Sequence, residues 1–411
     1  MPAAPDAAPK PEPGAAPATA AGSAHDGVCG PAPTDKPGPA CHAGTGVASG
    51  GGVAGAETYQ TRFERTWGHL TRPHVRALAW LLDAPDLLDP DSPHWQNRIA
   101  TLGPVHAAAA DWLAALERDP APLEAALGGR FYSRLGLYAE KLMAFYFEQH
   151  GTLVAHGLQV RANRNDTVGE FDFLLRHGSE LLHWEFATKF YLLDDTAGAA
   201  SFNHLVGPNL ADTLGVKMRK TFAKQLELAY HPAAQPLLPQ PVDKAQALVK
   251  GWLFYPQGSP HAVAGISPSH CLGYWSTLSE FASGRNGAAQ PDQQYVVMPR
   301  LQWLAPLKVR AMAAGAGEAA PVAHGAAAHP APAGGPPRIN SIAAVDSAVP
   351  LGAAQVVQAV LARFEQEMSP VMVASVVERD GWLVERERGF VAPDDWRARA
   401  AARREQGLLP P

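Results

Sequence analysis

Cysteine is scarce in this chain: three in 411 residues. Cys29 and Cys41 lie where almost nothing apolar surrounds them, and Cys271 stands alone. That excludes a disulfide framework and a metal-knuckle spacing. Long apolar runs are missing as well. No stretch approaches the ~18 consecutive apolar residues of a membrane-spanning helix, and no basic patch leads into a short apolar segment as in a secretory signal. A soluble protein in a reducing cytoplasm is the expectation, with no membrane partner. Excess positive charge is lacking too. Lys and Arg number 34 against 39 Asp and Glu, for a formal net charge of −5 and a pI near 6.3. This removes a global electrostatic case for nucleic acid and leaves room only for a local basic groove. Phosphate-loop, dinucleotide-fingerprint and serine-elbow patterns are absent.

Ala, Pro and Gly are abundant, and they concentrate in two stretches. Segments with so little to bury cannot offset their chain entropy. The chain therefore divides into a disordered tail (1–56), a helical N-terminal region (57–128) and an α/β core (129–311). A low-complexity insert or linker (312–350) follows, then a C-terminal helix and strand that return to the core (351–400).

Apolar spacing of 3.6 residues predicts helices around His74 to Leu82 and Val105 to Leu116, and most strongly over Arg130 to Gln149, stopped by Gly151. Period-2 segments follow at Leu158–Arg161, Gly169–Leu175 and Leu181–Phe190. Gly178 lies in the turn between the last two. Ala211 to Tyr230 reads as a helix and Ala247 to Tyr255 as a strand. Further strands are expected near Tyr295–Val309 and Trp382–Val391, and a helix over Gln355–Glu367. The fold class is α/β: a mixed sheet flanked by helices, with a helical N-terminal layer.

Within the helix over Arg130–Gln149, one stripe is Phe131, Leu135, Tyr138, Leu142 and Phe145, and a second face is Gly136, Met143, Ala144 and Phe147. Glu140 falls on that second apolar face. A buried carboxylate is costly unless it is paired or binds a metal. A salt bridge to an arginine is the plain alternative.

In the hairpin, strand alternation puts Phe171, Phe173 and Leu175 on one face and Glu170, Asp172 and Leu174 on the other. His183, Glu185, Ala187 and Lys189 share a face of the next strand. A turn centred near Gly178 sets Asp172 across from Glu185, with Cβ atoms ~5 Å apart. Two such carboxylates repel unless a cation or a proton intervenes. Oxygen-rich sites of this kind suit Mg²⁺ or Mn²⁺. A lysine on the same face completes a set able to activate water and steady phosphoryl charge. A solvated, charge-complementary strand face is the competing reading.

The order of a helix Glu, Gly-Glu-apolar-Asp-apolar on a strand, and a Glu strand with a following Lys resembles the PD-(D/E)XK nuclease superfamily. More specifically, Gly169–Leu175, His183–Leu192 and Val206-Gly-Pro-Asn209 resemble domain-of-unknown-function family 1853, from about Thr58 to Trp396. The resemblance implies a restriction-endonuclease-like fold. It implies Glu140, Asp172 and Glu185 as metal ligands for Mg²⁺ or Mn²⁺, and Asp172, Glu185 and Lys189 as the catalytic set. The lysine of that pattern sits two residues after the acid, where this chain has Ala187. Lys189 keeps the face but starts ~7 Å further along the strand. A long reach or a bulge would bring its ammonium back.

On the following helix, Gln225 and Tyr230 resemble a Gln–Tyr pair of recombination nucleases, spaced one residue wider. Lys217, Lys220 and Lys224 form a basic stripe suited to phosphates. It could equally be a solvated face, with Lys217 paired to Asp212. His183 reads as a packed strand histidine before a metal ligand, and Gly207–Asn209 as a turn capping the next helix. Trp252, Trp275, Trp303, Trp382 and Trp396 read as core.

The expected function is Mg²⁺-dependent hydrolysis of a phosphodiester in DNA or RNA. The rivals are a catalytically silent binding or scaffold module on the same fold, and a hydrolase of a small phosphorylated molecule.

Overall fold

The N-terminal region is helical, as its apolar spacing predicts. In the computed structural model the described residues are 57–128, 132, 134–163, 166–194, 201–256, 262–284, 289–290, 292–312 and 346–406. The tail at 1–56 lies outside them, as do Phe131 and residues 313–345 of the 312–350 insert, whose described end includes the strand Ser347–Ala348. Helix α1 (Tyr59–Trp67) is capped by the Thr58 hydroxyl, which accepts from the Thr61 N–H. Helix α2 (Pro73–Asp83) opens on a proline and is buried from Val75 to Leu82. Helices α3 (Ala107–Arg118), α4 (Ala121–Leu127) and α5 (Leu135–Gln149) complete the layer.

The strands follow as β1 (Leu153–Asn163), β2 (Asp166–His177), β3 (Glu180–Leu193) and the short β4 (Leu205–Val206). After helix α6 (Leu214–Lys220) come β5 (Lys244–Pro256), β6 (Cys271–Thr277), helix α7 (Leu278–Ala282), β7 (Gln294–Val297), β8 (Lys308–Ala311) and β9 (Ser347–Ala348). Helix α8 (Ala353–Phe364), strands β10 (Val371–Arg379) and β11 (Trp382–Ala392) and helix α9 (Trp396–Glu405) end the described chain. The single strand expected over Tyr295–Val309 is two, broken where Pro299 starts a 3-10 turn. Strands β6 and β10 and helix α9 were not foreseen.

Among the described residues eleven strands form one mixed sheet whose main path runs β1-β2-β3-β5-β6-β11-β10-β7. The centre, β3-β5-β6-β11, is parallel, and hairpins flank it on both sides. Parallel strands buried on both faces read as continuous apolar runs. Leu248-Val-Lys-Gly-Trp-Leu-Phe-Tyr255 of β5 is such a run, and it is buried throughout.

Two cores sandwich the sheet around the hairpin. One packs α2 and α5 onto Phe173, Leu175, Leu182, Leu192 and Trp252. The other packs α6 and the turns after it onto Phe171, Leu174, Tyr191 and Leu253. A third, smaller core sets α8 against Tyr274, Tyr295 and Val373. Full burial of one such large apolar side chain is worth about 1.5–3 kcal/mol. Helix α9 clasps the loop before α6: Trp396 donates to the Pro208 carbonyl at 2.9 Å, Arg403 to that of Leu210 at 2.8 Å, and Arg404 pairs with buried Asp194.

Among the described residues no helix is long and apolar enough to cross a membrane.

Candidate functional site

The β2–β3 hairpin turns through Gly178, whose φ of 59° is the left-handed conformation that glycine adopts without a Cβ penalty. Its register runs His177↔Glu180, Arg176↔Leu181, Leu175↔Leu182, Leu174↔His183 and Phe173↔Trp184. One further step would set Asp172 against Glu185, but the ladder stops there. Instead, Asp172 Oδ2 accepts the Phe186 N–H at 2.9 Å, a side chain taking the place of a backbone partner.

The alternation expected for β2 fails at this point. Phe171 and Leu174 belong to one core, Phe173 and Leu175 to the other, so the strand exchanges faces at Asp172. On β1, between the pairs His156↔Phe173 and Leu158↔Phe171, stands Gly157 at φ 64°. The β1–β2 register nonetheless stays regular across Gly157, and its irregularities lie at Leu153/Ala155 and between Val160 and Asn163. On β3 the alternation holds. Its pairing with β5 is unbroken from Leu182↔Lys244 to Leu192↔Phe254, with no bulge.

Glu185 is buried, at 3 % exposure. His183 Nε2 meets its Oε1 at 2.9 Å, and Gln225 Nε2 donates to its Oε2 at 2.5 Å. His183 is fully buried, packs edge-on against Phe171 and is held neutral by that burial, its pKa lowered to about 3. Its Nδ1 is buried without a hydrogen-bond partner. Gln225 ends a π turn, Thr221–Gln225, where the helix expected over Ala211–Tyr230 loses its α form. Its amide oxygen accepts from Thr221 Oγ1 at 3.0 Å, which orients the amide nitrogen toward Glu185. Isolated π turns recur at functional sites because they re-aim side chains.

Glu140, on α5, is partly buried, and its partner is no arginine. It pairs with His156 Nε2 of β1 at 2.8 Å, and the His156 ring stacks on Phe173. The charges of these acids bear on one another. Burial first, then the Glu185 charge, pushes the Asp172 carboxyl up to about 8, and Glu140 and Glu170 add to the shift. Burial likewise raises Glu185 to about 7 against hydrogen bonding from Asp172, with Glu140 and Glu170 again contributing. Among the described residues no three His, Cys, Asp or Glu side chains stand in ready-made metal-ligating geometry. Glu140 and Glu185 are turned toward His156, His183 and Gln225, and Asp172 Oδ2 toward the Phe186 N–H.

Lys189 makes no hydrogen bond or ion pair among the described residues. Burial lowers its pKa, as do the charges of Lys217 and Lys220, while Asp212 and Asp172 raise it. Its backbone is pinched against β5, because a Cβ at Gly251 would strike the Lys189 carbonyl oxygen. Lys217 itself pairs with Asp212 at 3.1 Å. Lys220 and Lys224 are exposed. Tyr230 is 58 % exposed at the end of the 3-10 turn Leu226–Tyr230, pointing to solvent rather than to Glu185. The loop Gly207–Leu210 is a turn closed by the Leu210 N–H on the Gly207 carbonyl. The cap of α6 is supplied by Thr213, not by Asn209. Sequence reasoning missed His156 and Glu170. Glu170 stood within the same Gly-Glu-Phe-Asp motif, but His156 carried no local signal.

The chain is thus an α/β protein with a mixed sheet and a carboxylate cluster at a hairpin. The profile described as domain of unknown function (DUF1853) matches residues 76–332, and the chain belongs to that family. No curated protein and no solved structure matches it.

Proposed function

We propose that this protein is a metal-dependent phosphodiester hydrolase acting on DNA or RNA, its site of the restriction-endonuclease type. The observation that carries the reading is the burial of Asp172 and Glu185 beside one another, which, with the added charges of Glu140 and Glu170, raises both above ordinary carboxylates. Acids crowded away from water need a cation or a proton among them. The donor set, all carboxylate oxygen, fits Mg²⁺ or Mn²⁺. Asp172, Glu185 and Glu140 would hold the ion, which when bound supplies an acidified water and a counter-charge for a phosphoryl oxygen.

The chain's own groups do the remaining work. Gln225 and His183 fix the Glu185 carboxylate. Lys189 Nζ would serve the developing oxyanion, the charges of Asp212 and Asp172 opposing the burial that lowers its pKa. Lys217, Lys220 and Lys224 offer charge to flanking phosphates. Titration of Mg²⁺ and Mn²⁺ into wild type and Asp172→Ala, with nuclease assays on both, tests this. Binding and cleavage lost together in the variant support it; a folded wild type that neither binds nor cleaves refutes it.

A second reading is a catalytically silent binding module on the same fold. It is favoured by the protein partners that already satisfy Glu140 and Glu185. Absence of metal affinity in a folded sample would select it.

A further inference from the structure

Beside the acids lies a group of rings that the hydrolase reading does not use. Trp95 is buried at its base. Phe222 stacks on it, with centroids 5.0 Å apart and planes at 19°. Phe202 and His94 meet the same indole edge-on, at 5.3 Å and 4.4 Å. His94 and Phe202 stack on each other at 5.5 Å and 28°. His94 is exposed, and Phe202 and Phe222 are half-buried. These rings therefore form a fixed ledge at the surface, backed by a tryptophan that cannot move away.

Exposed cations lie on the segment that carries Phe222: Arg219, Lys220 and Lys224. Lys220 and Lys224 have no ion-pair partner among the described residues. Glu227, the acid of that segment, is held at 2.8 Å by Arg98, whose guanidinium also lies over the Phe222 ring. The π turn that holds Phe222 ends in Gln225, whose amide reaches Glu185. Ledge and acid cluster are therefore two ends of one five-residue turn.

We propose that the substrate of this site is a single nucleic-acid strand, its unpaired bases stacking on His94 and Phe202 while Lys220 and Lys224 hold the backbone that runs to Asp172 and Glu185. This rests on the hydrolase reading above. Exposed rings interleaved with lysines bind single strands because every unpaired base has a π face to stack and every linkage a phosphate. A duplex keeps its base faces covered by neighbouring bases, so it would gain only the phosphate contacts from this surface. DNA and RNA share the chemistry, and the assay separates them.

The test is fluorescence anisotropy with labelled oligothymidine, oligouridine and a duplex of equal length, using the full chain carrying Asp172→Asn so that nothing is cut. Single strands should bind more tightly than the duplex. His94→Ala with Phe202→Leu should weaken single-strand binding about tenfold, the loss of one stacked base, and leave the duplex unchanged. Lys220→Ala with Lys224→Ala should weaken both ligands and flatten the salt dependence. A duplex bound as tightly as the single strand overturns the proposal. So does a ring variant that keeps its circular dichroism and melting temperature yet binds single strands like its parent. Cleavage assays on the wild type with Mn²⁺ separate the two readings. Cutting of duplex alone overturns the ledge and keeps the hydrolase, and single-strand binding without cutting keeps the ledge and removes the hydrolase. Neither binding nor cutting overturns both.

Discussion

Gln225 and Glu185 are 40 residues apart in sequence, and their side chains meet at 2.5 Å. The contact joins a π turn on one layer to a buried strand acid on another, with His183 closing the other side of the carboxylate. Gln225→Ala removes one of the two partners of a buried acid. A hydrogen bond to a charged group is worth about 1.5–3 kcal/mol. We predict a lower urea midpoint by that order, and weaker Mn²⁺ binding in a calorimetric titration. Unchanged values for both would show that the amide contributes nothing.

Asp172 and Glu185 give the metal-free protein a defined pH response. Their folded pKa values, about 8 and about 7, lie above the ordinary values of 3.8 and 4.5. The folded state therefore binds these protons more tightly than the unfolded chain does. Their contribution to stability is complete below about pH 4 and is lost as pH rises through the folded values near 7 and 8. Melting temperatures scanned over that window should fall for wild type and fall less for Asp172→Asn. Added Mn²⁺ competes with the protons and should reverse the trend at the alkaline end.

Lys189 can be tested against its position. Lys189→Met should abolish cleavage while leaving metal affinity in place. Adding Ala187→Lys to that variant puts an amine on the same face two residues nearer the acid, ~7 Å back along the strand. Partial recovery of rate is the expected result. Cleavage by Lys189→Met at the wild-type rate would remove the lysine from the chemistry.

Arg388 and Glu385 form a fully buried pair at 2.7 Å, remote in sequence from the acid cluster, with the guanidinium over Trp252 and donating to the carbonyls of Trp303 and Ala305. Arg388→Met leaves Glu385 charged and buried without its partner, a change that costs about 3–5 kcal/mol. Chemical denaturation should report that loss. The paired change Arg388→Met with Glu385→Leu should recover much of it.

The hairpin was legible because its signals are local: period-2 alternation on both strands and a glycine at the turn. Glu140 was legible because a carboxylate on an apolar helix face contradicts its surroundings. The partners of these acids were not legible. His156 lies 16 residues from Glu140 and becomes its partner only once β1 packs beside α5. Strict alternation within β2 gave no warning of the face exchange at Asp172. The helix over Ala211–Tyr230 was read as uniform because a π turn has no composition of its own. Tyr230 ends that segment 58 % exposed.

The order of the strands also sets an order in time. Strand β11 lies between β6 and β10 in the sheet, and α9 clasps the turn ahead of α6, yet both are among the last elements made. A chain emerging from the ribosome therefore carries β6 and the loop before α6 long before the strand and helix that cover them are available, although domains otherwise begin to fold during synthesis. Ribosome-bound chains halted before residue 382 should stay open to protease across β6, and those extended past residue 405 should close.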